Sequence, residues 1–151
     1  MPEQTYFYNT SVEWFSHRRG KLRSQGLSYL AVSSPPEFKG EPGFWTPEHL
    51  FVAATESCLM ATFLGISENS RLAVAGYSSK AKGKLELVEG SGLRFTAIEI
   101  FPAVELARAE DCERAERIMG KAAKTCLIAN SMLTVVTVRP EFTVKEMDMA
   151  V

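Results

Sequence analysis

A glutamate and a cysteine are the residues of this sequence whose types and spacing raise the question of shared chemistry. Glu48 and Cys58 lie ten residues apart in TPEHLFVAATESC. A cysteine attacks only as the thiolate, and burial in an apolar helix raises the pKa of a thiol. The competing interpretation of Cys58 is a small core residue, the commoner state of a buried cysteine. Chemistry at Cys58 therefore requires a cation close to the sulfur.

Arginine is the best such cation, because its guanidinium stays charged and presents a fork of donors. The segment HRRGKLR holds four cations, among them Arg18 and Arg19. Glu48 could orient one of these arginines through a bidentate ion pair. Equally, Glu48 could simply complement the positive end of a helix dipole.

The spacing of Glu48 and Cys58 sets a geometric constraint. Thr46 is a good N-cap and Pro47 suits the first helical position, which predicts a helix from Pro47 onward. Along a straight helix, ten residues separate two side chains by roughly 15 Å and by about 80° around the axis. Since no Gly or Pro interrupts this stretch, we expect Glu48 of one subunit to approach Cys58 of another, unless an arginine spans the gap.

The remaining patterns predict an α+β fold with an antiparallel sheet. Residues 18–26 read as a turn between two strands, and residues 34–45 as a loop. Gly65 and the SENS segment after it should end the first helix, and Gly90 marks a hairpin turn. Two strands are predicted over residues 5–14 and 27–33, and the aromatic side of the first should be half-buried. They are followed by a β-rich stretch over 73–106, a helix over 109–125, and one or two strands broken at Pro140.

The helix that begins at Pro47 is apolar on every face, which predicts burial all round. A single sheet in a chain of 151 residues can hardly cover such a helix. We therefore expect one domain over residues 1–151 that forms a homodimer with a shared core.

Composition excludes several other classes of protein. The chain is 46% hydrophobic and 23% charged, as globular proteins are. A net charge of −1 and a single four-cation cluster make a poor nucleic-acid footprint. The apolar run over residues 50–66 falls short of a comfortable membrane span, and the N-terminus does not resemble an export signal, so we expect a cytoplasmic protein. His17 and His49 lack zinc-site spacing, and no cofactor or metal is expected.

The segment SPPEFKGEPGFWTPEHLFVAATESCLMATF, followed far downstream by CLIANS, resembles the OsmC/Ohr family (osmotically inducible protein C and organic hydroperoxide resistance protein). The family pattern is a Pro-Glu pair, a cysteine ten residues after the glutamate in an apolar helix, and a second cysteine near the end of a later helix. The segment GFWTPEHLF resembles the broad OsmC-like group more than the organic hydroperoxide resistance group. Members with peroxidase behaviour often carry Pro after the second cysteine, where this chain has Leu127.

This resemblance implies roles for the candidate residues. Cys58 would be the peroxidatic cysteine and Cys126 the resolving cysteine. Glu48 would hold an arginine that lowers the pKa of Cys58, with Arg18 the first choice and Arg19 the second. The implied fold is an intertwined homodimer in which antiparallel sheets flank buried central helices, with two sites at the interface.

The implied activity is a thiol-dependent peroxidase that reduces organic hydroperoxides, protects against oxidative stress and is recycled by an external dithiol of the lipoyl type. Phe38, Phe44 and Trp45 could form an apolar lid over the substrate, or could merely cover the core or the dimer seam. Cys112 is interpreted as structural, and His49 does not indicate a hydrolase because no nucleophile elbow accompanies it. The rival function is a dimeric binding or stress-associated protein with vestigial cysteines.

Overall fold

A computed structural model describes residues 3–146 of the chain. The chain divides into two compact units, Met1–Phe51 and Val52–Val151. Sheets and helices are both present, so the predicted α+β class is confirmed. The single domain over residues 1–151 stays a prediction.

The first unit is built on a three-stranded antiparallel sheet. Its strands are β1 (Ser11–Ser16), β2 (Arg19–Arg23) and β3 (Leu30–Ser33), in the order β1-β2-β3. The prediction of a turn over residues 18–26 was wrong in extent, because Arg19–Arg23 is a strand. Gly20 suggested a turn, but it lies opposite Trp14 in the ladder, where a Cβ would come within 3.2 Å of the neighbouring strand. That glycine serves close packing within a strand.

The predicted half-buried strand over residues 5–14 was also wrong in part. Residues 5–10 form no strand, and the aromatic side chains of this stretch are exposed within the chain, Tyr8 to 91%. Alternation of apolar and polar residues indicates a face that needs cover, but it does not say what provides the cover.

Residues 34–45 form the predicted loop, which includes a short 3-10 helix, Pro36–Phe38. The loop returns to the first sheet at its end, where the Ser33 N–H donates to the Trp45 carbonyl at 3.0 Å. Gly40 permits this path, because a Cβ there would overlap the Ser34 carbonyl oxygen. The loop therefore holds Phe44 and Trp45 beside the helix that follows.

Helix α1 (Pro47–Asn69) begins where predicted. Thr46 caps it: its Oγ1 accepts the His49 N–H at 3.1 Å, and its carbonyl accepts the Leu50 N–H at 3.0 Å. The helix ends at Asn69, inside the SENS segment as predicted, whereas Gly65 itself lies within the helix because an isolated glycine weakens a helix without stopping it.

Within the chain, α1 is covered along one stripe only. The buried residues follow one another at a spacing of four, and the other faces, including Met60 and Leu64, are partly or fully exposed; the stripe consists of Thr55, Leu59, Phe63 and Ser67. The prediction of burial on all sides is therefore not met by a single chain. By length and composition α1 could also cross a membrane, a weak indication that core helices of soluble proteins share.

The second unit contains a long hairpin, β4 (Val74–Val88) and β5 (Gly92–Leu106), whose turn includes Gly90 at φ 81° as predicted. After the hairpin come the helices α2 (Cys112–Thr125) and α3 (Leu127–Asn130). The chain then ends in β6 (Val135–Val138) and β7 (Glu141–Val144), which are separated at Pro140.

The second sheet is mixed, which differs from the antiparallel sheet predicted. β4 and β5 pair antiparallel, whereas β6 and β7 both pair parallel to β5. The reason is topological: a crossover through helices returns the chain to the same end of a sheet, and this connection makes neighbouring strands parallel. The core of this unit takes its apolar side chains from β5, from one face of α2, and from Leu59 and Phe63 of α1.

Candidate active site

Cys58 lies in the middle of α1 and is half-buried. Thr62 follows one turn later on the same face, and the two side chains approach to 3.9 Å between Sγ and Oγ1. The helix is unbroken between Glu48 and Cys58, so the separation of roughly 15 Å along the axis applies to this chain. Glu48 and Cys58 therefore do not meet through α1 itself.

Cys126 occupies the junction of two helices. It follows the last residue of α2 and is the N-cap of α3, where its carbonyl accepts the Asn130 N–H at 3.0 Å. Its side chain is only 2% exposed. As the first residues of a helix, Leu127 and Ile128 have main-chain N–H groups without intrahelical acceptors.

The sulfur of Cys58 receives these N–H groups. Burial raises the pKa of the Cys58 thiol, but hydrogen bonds outweigh this effect and leave the pKa below its ordinary value. The Ile128 N–H and the Cys126 thiol contribute most, followed by the Thr62 hydroxyl and the Leu127 N–H. Thus the structure brings the two predicted cysteines together and poises Cys58 toward the thiolate.

Cys126 has the opposite character. Burial raises the pKa of its thiol, the Ala129 N–H lowers it in part, and the hydrogen bond and negative charge of Cys58 raise it further. The two thiols therefore interact with each other, and the pKa of Cys58 is lowered while that of Cys126 is raised. The three cysteines form no disulfide, and the structural role of Cys112 at the start of α2 stays a prediction.

Of the two candidate arginines, Arg19 is the one held in place in the first unit. Its guanidinium lies 5.0 Å from the ring of Phe15 and 5.8 Å from the ring of Phe44. Its Nε lies 3.5 Å from the Glu41 carboxylate. Arg18 lies in the exposed turn between β1 and β2.

Two buried polar side-chain atoms of the first unit lack a hydrogen-bond partner within residues 3–146. They are Oε2 of Glu48 and Nε of Arg19. One atom is an acceptor and the other a donor, so they are chemically complementary. They are not paired with each other in this structure, and the predicted Glu48–arginine pair stays a prediction.

A cavity of about 320 Å³ in the first unit is lined by Gly43, Phe44, Trp45 and His49. Two of the three predicted lid residues, Phe44 and Trp45, therefore line a common space. Phe38 lies at the end of the 3-10 helix and does not line this cavity. His49 was not predicted to bind anything, and its position three residues after the N-cap was the only signal that could have pointed to it.

Comparison with known proteins places these residues in a family. The family model for OsmC-like proteins matches residues 40–141, a segment that contains Glu48, Cys58 and Cys126. The chain belongs to the OsmC family. No curated protein matches the sequence significantly.

Solved structures share the OsmC fold with this chain. An OsmC-like protein of unknown function from Vibrio cholerae is 24% identical at a TM-score of 0.84, covering 91% of this chain and 100% of its own. An organic hydroperoxide resistance protein OsmC from Legionella pneumophila is 21% identical at a TM-score of 0.73, covering 94% and 100%. An organic hydroperoxide resistance protein from Elizabethkingia anophelis is 18% identical at a TM-score of 0.73, covering 95% and 99%. At these identities the likeness establishes the fold alone.

Proposed function

We propose that this OsmC-family chain is a thiol-dependent peroxidase for organic hydroperoxides. One observation carries the proposal: a half-buried Cys58 with a lowered pKa accepts a hydrogen bond from Cys126, whose own pKa is raised. A two-cysteine peroxidase needs one thiol that ionises more readily for the attack and a second thiol beside it, and the directions of these two pKa shifts support that assignment. Two solved structures with this fold are named as hydroperoxide resistance proteins, which is consistent with the proposal.

In the proposed reaction, the Cys58 thiolate attacks the O–O bond of the hydroperoxide. A sulfur–oxygen bond forms, the O–O bond breaks, and the leaving alkoxide takes a proton from water to become the alcohol. Cys126 then condenses with the Cys58 sulfenic acid, so that a disulfide forms and one water leaves. An external dithiol, of the lipoyl type in our proposal, reduces the disulfide and restores both thiols.

The arginine that stabilises the Cys58 thiolate is, in this proposal, Arg19 rather than Arg18. Arg19 is already held by aromatic rings and has a buried donor without a partner, which the buried Oε2 of Glu48 would satisfy. Because Glu48 and Cys58 stand at different points of one unbroken helix, we propose that the Glu48–Arg19 pair of one subunit serves Cys58 of the other.

A homodimer would also cover the apolar faces that α1 exposes in the single chain. We propose that this dimer is the functional form and that it acts in the cytoplasm. Sedimentation of the purified protein tests the dimer, and a stable, well-folded monomer would contradict it.

The activity is tested by treating the reduced protein with cumene hydroperoxide and counting free thiols. We expect two thiols to disappear per chain and peptide mapping to recover a Cys58–Cys126 disulfide. Cys58→Ser should abolish turnover, Cys126→Ser should permit one attack without efficient recycling, and Cys112→Ser is the matched control that should change neither. If all thiols persist at excess peroxide, the peroxidase assignment fails and a binding or stress-associated protein with vestigial cysteines replaces it.

A further inference from the structure

The hydrogen bonds around His49 determine which of its ring nitrogens carries a proton. Thr46 Oγ1 accepts the His49 main-chain N–H at 3.1 Å and lies 2.7 Å from His49 Nδ1. The Thr46 side chain is 1% exposed, so its hydroxyl hydrogen needs an acceptor inside the protein. Over the described residues, His49 Nδ1 is the one acceptor within its reach. A Thr46 hydroxyl that donates to Nδ1 leaves the Nε2 N–H as the donor edge of the ring.

The same contacts fix where this N–H group can act. The ring of His49 stands nearly perpendicular to the ring of Trp45, at 84° and 6.3 Å between centroids, and it lines the cavity with Phe44 and Gly43. Since Thr46 holds the Nδ1 edge, the Nε2 edge is the one left for a ligand. The cavity thus combines aromatic walls with a single preorganised donor, an arrangement typical of sites for small apolar molecules.

We propose that His49 Nε2–H donates a hydrogen bond to the oxygen of a compact apolar ligand held between Phe44 and Trp45. The ligand class is a branched-alkyl or aromatic molecule with one acceptor oxygen, as in an organic hydroperoxide or the alcohol formed from it. A volume of about 320 Å³ suits a single ring with a short substituent. Because Thr46 already orients the imidazole, little side-chain freedom is lost when the ligand binds.

His49 is proposed as a binding residue and not as a proton donor to Cys58 of its own chain. Nine residues along α1 separate the two by roughly 13 Å and place them on opposite sides of the helix. The proposal rests on the proposed function only in the choice of ligand skeleton, since the cavity can bind an alcohol whether or not the cysteines react.

The test uses two ligands that do not oxidise thiols, cumyl alcohol and cumene, which share a skeleton and differ by one hydroxyl group. Binding is followed by the fluorescence of Trp45 in a Trp14→Phe background, which removes the other tryptophan. We expect the alcohol to bind about fivefold more tightly than cumene, as one neutral hydrogen bond would give. The His49→Leu variant should lose this preference and favour cumene, because the hydroxyl of the alcohol would then be buried without a partner. His49→Gln, which keeps a donor near the Nε2 position, should retain the preference for the alcohol.

Three results would overturn the proposal: neither ligand changes Trp45 fluorescence, the unsubstituted protein binds both equally, or His49→Leu keeps the preference. If His49→Gln also loses the preference for the alcohol, that preference depends on the imidazole ring and not on a donor at the Nε2 position. This result would also overturn the donor role. A failed peroxide assay combined with the expected binding pattern would refute the proposed peroxidase function and leave this site intact.

Discussion

Replacing Leu127 by proline removes one hydrogen-bond donor from Cys58 and nothing else of comparable weight. Leu127 is the first residue of α3, a position that proline favours, and Cys126 before it has the extended conformation (φ −62°, ψ 109°) that a following proline requires. The Leu127 side chain is exposed, so its loss opens no cavity. We therefore expect L127P to fold normally while Cys58 loses the Leu127 N–H.

The size of the effect follows from the charge on the acceptor. A hydrogen bond to a charged group contributes about 1.5–3 kcal/mol, and the lower value is the upper limit here because Cys58 is partly exposed and the Leu127 N–H is the weakest of its hydrogen-bond partners. About 1.5 kcal/mol corresponds to a tenfold change in the ratio of thiolate to thiol. Since the lost donor favours the charged form, the Cys58 pKa rises in L127P, and the pH profile of its reactivity moves to higher pH.

The assay is alkylation of Cys58 by iodoacetamide across a pH series in a Cys112→Ser, Cys126→Ser background. Below the Cys58 pKa, the rate in L127P should be lower, by up to about tenfold, than in L127A, the matched control that keeps the N–H. At high pH, where the sulfur is ionised in both variants, the two rates should converge. Superimposable profiles for L127P and L127A would refute the role assigned to this N–H group.

Three further predictions concern stability. Burial and the charge of Glu56 raise the pKa of Tyr77 to about 12, so the folded protein should lose stability as the pH rises from about 10 to 12. In thermal melts, Tyr77→Phe should remove this loss. The same variant should cost little stability at pH 7, because the Tyr77 hydroxyl has no partner among the described residues. Arg114 bonds both a buried aspartate and a main-chain carbonyl at the end of α1, so Arg114→Ala should lower the free energy of unfolding in urea by roughly 2 kcal/mol. Arg108 is more exposed, and Arg108→Ala should cost under about 1 kcal/mol. Equal losses in the two variants would contradict this assignment. A Cβ at Gly83 would lie 2.5 Å from a valine methyl of α1, so Gly83→Ala should destabilise by about 1–3 kcal/mol, and Gly76→Ala on the same strand, where the nearest atom is 3.5 Å away, is the control that should cost less.

Local chemistry explains which parts of the fold could be predicted from sequence. The start of α1 was predicted correctly because Thr46 and Pro47 act through their own side chains, and the hairpin because Gly90 meets a backbone requirement at its own position. Strand β2 was missed because Gly20 looks the same in a turn and in a crowded strand. The parallel pairing of β6 and β7 depends on where two helices return the chain, which no short pattern encodes.

In the candidate site, too, some groups could be predicted from the sequence and others could not. Cys58 and Cys126 were predicted as a pair because the resemblance to the OsmC/Ohr family implies it, and the structure brings them together. The donors from Leu127 and Ile128 could not be predicted, since main-chain N–H groups are common to almost all residues and act here only because α3 begins at that point. The assignment of Nε2–H on His49 likewise depends on the buried state of Thr46, which its sequence neighbours do not reveal.

Cys126 is the C-cap of α2, the N-cap of α3 and the residue whose thiol contacts Cys58, so one position of the chain has three roles. Substitutions can affect these roles separately, but a change of length cannot. Inserting or deleting one residue between α2 and α3 would turn the following N–H groups away from Cys58 while it also displaced the thiol. We therefore expect length to be far more tightly constrained at this junction than residue identity, as a library of single-residue insertions and deletions would reveal.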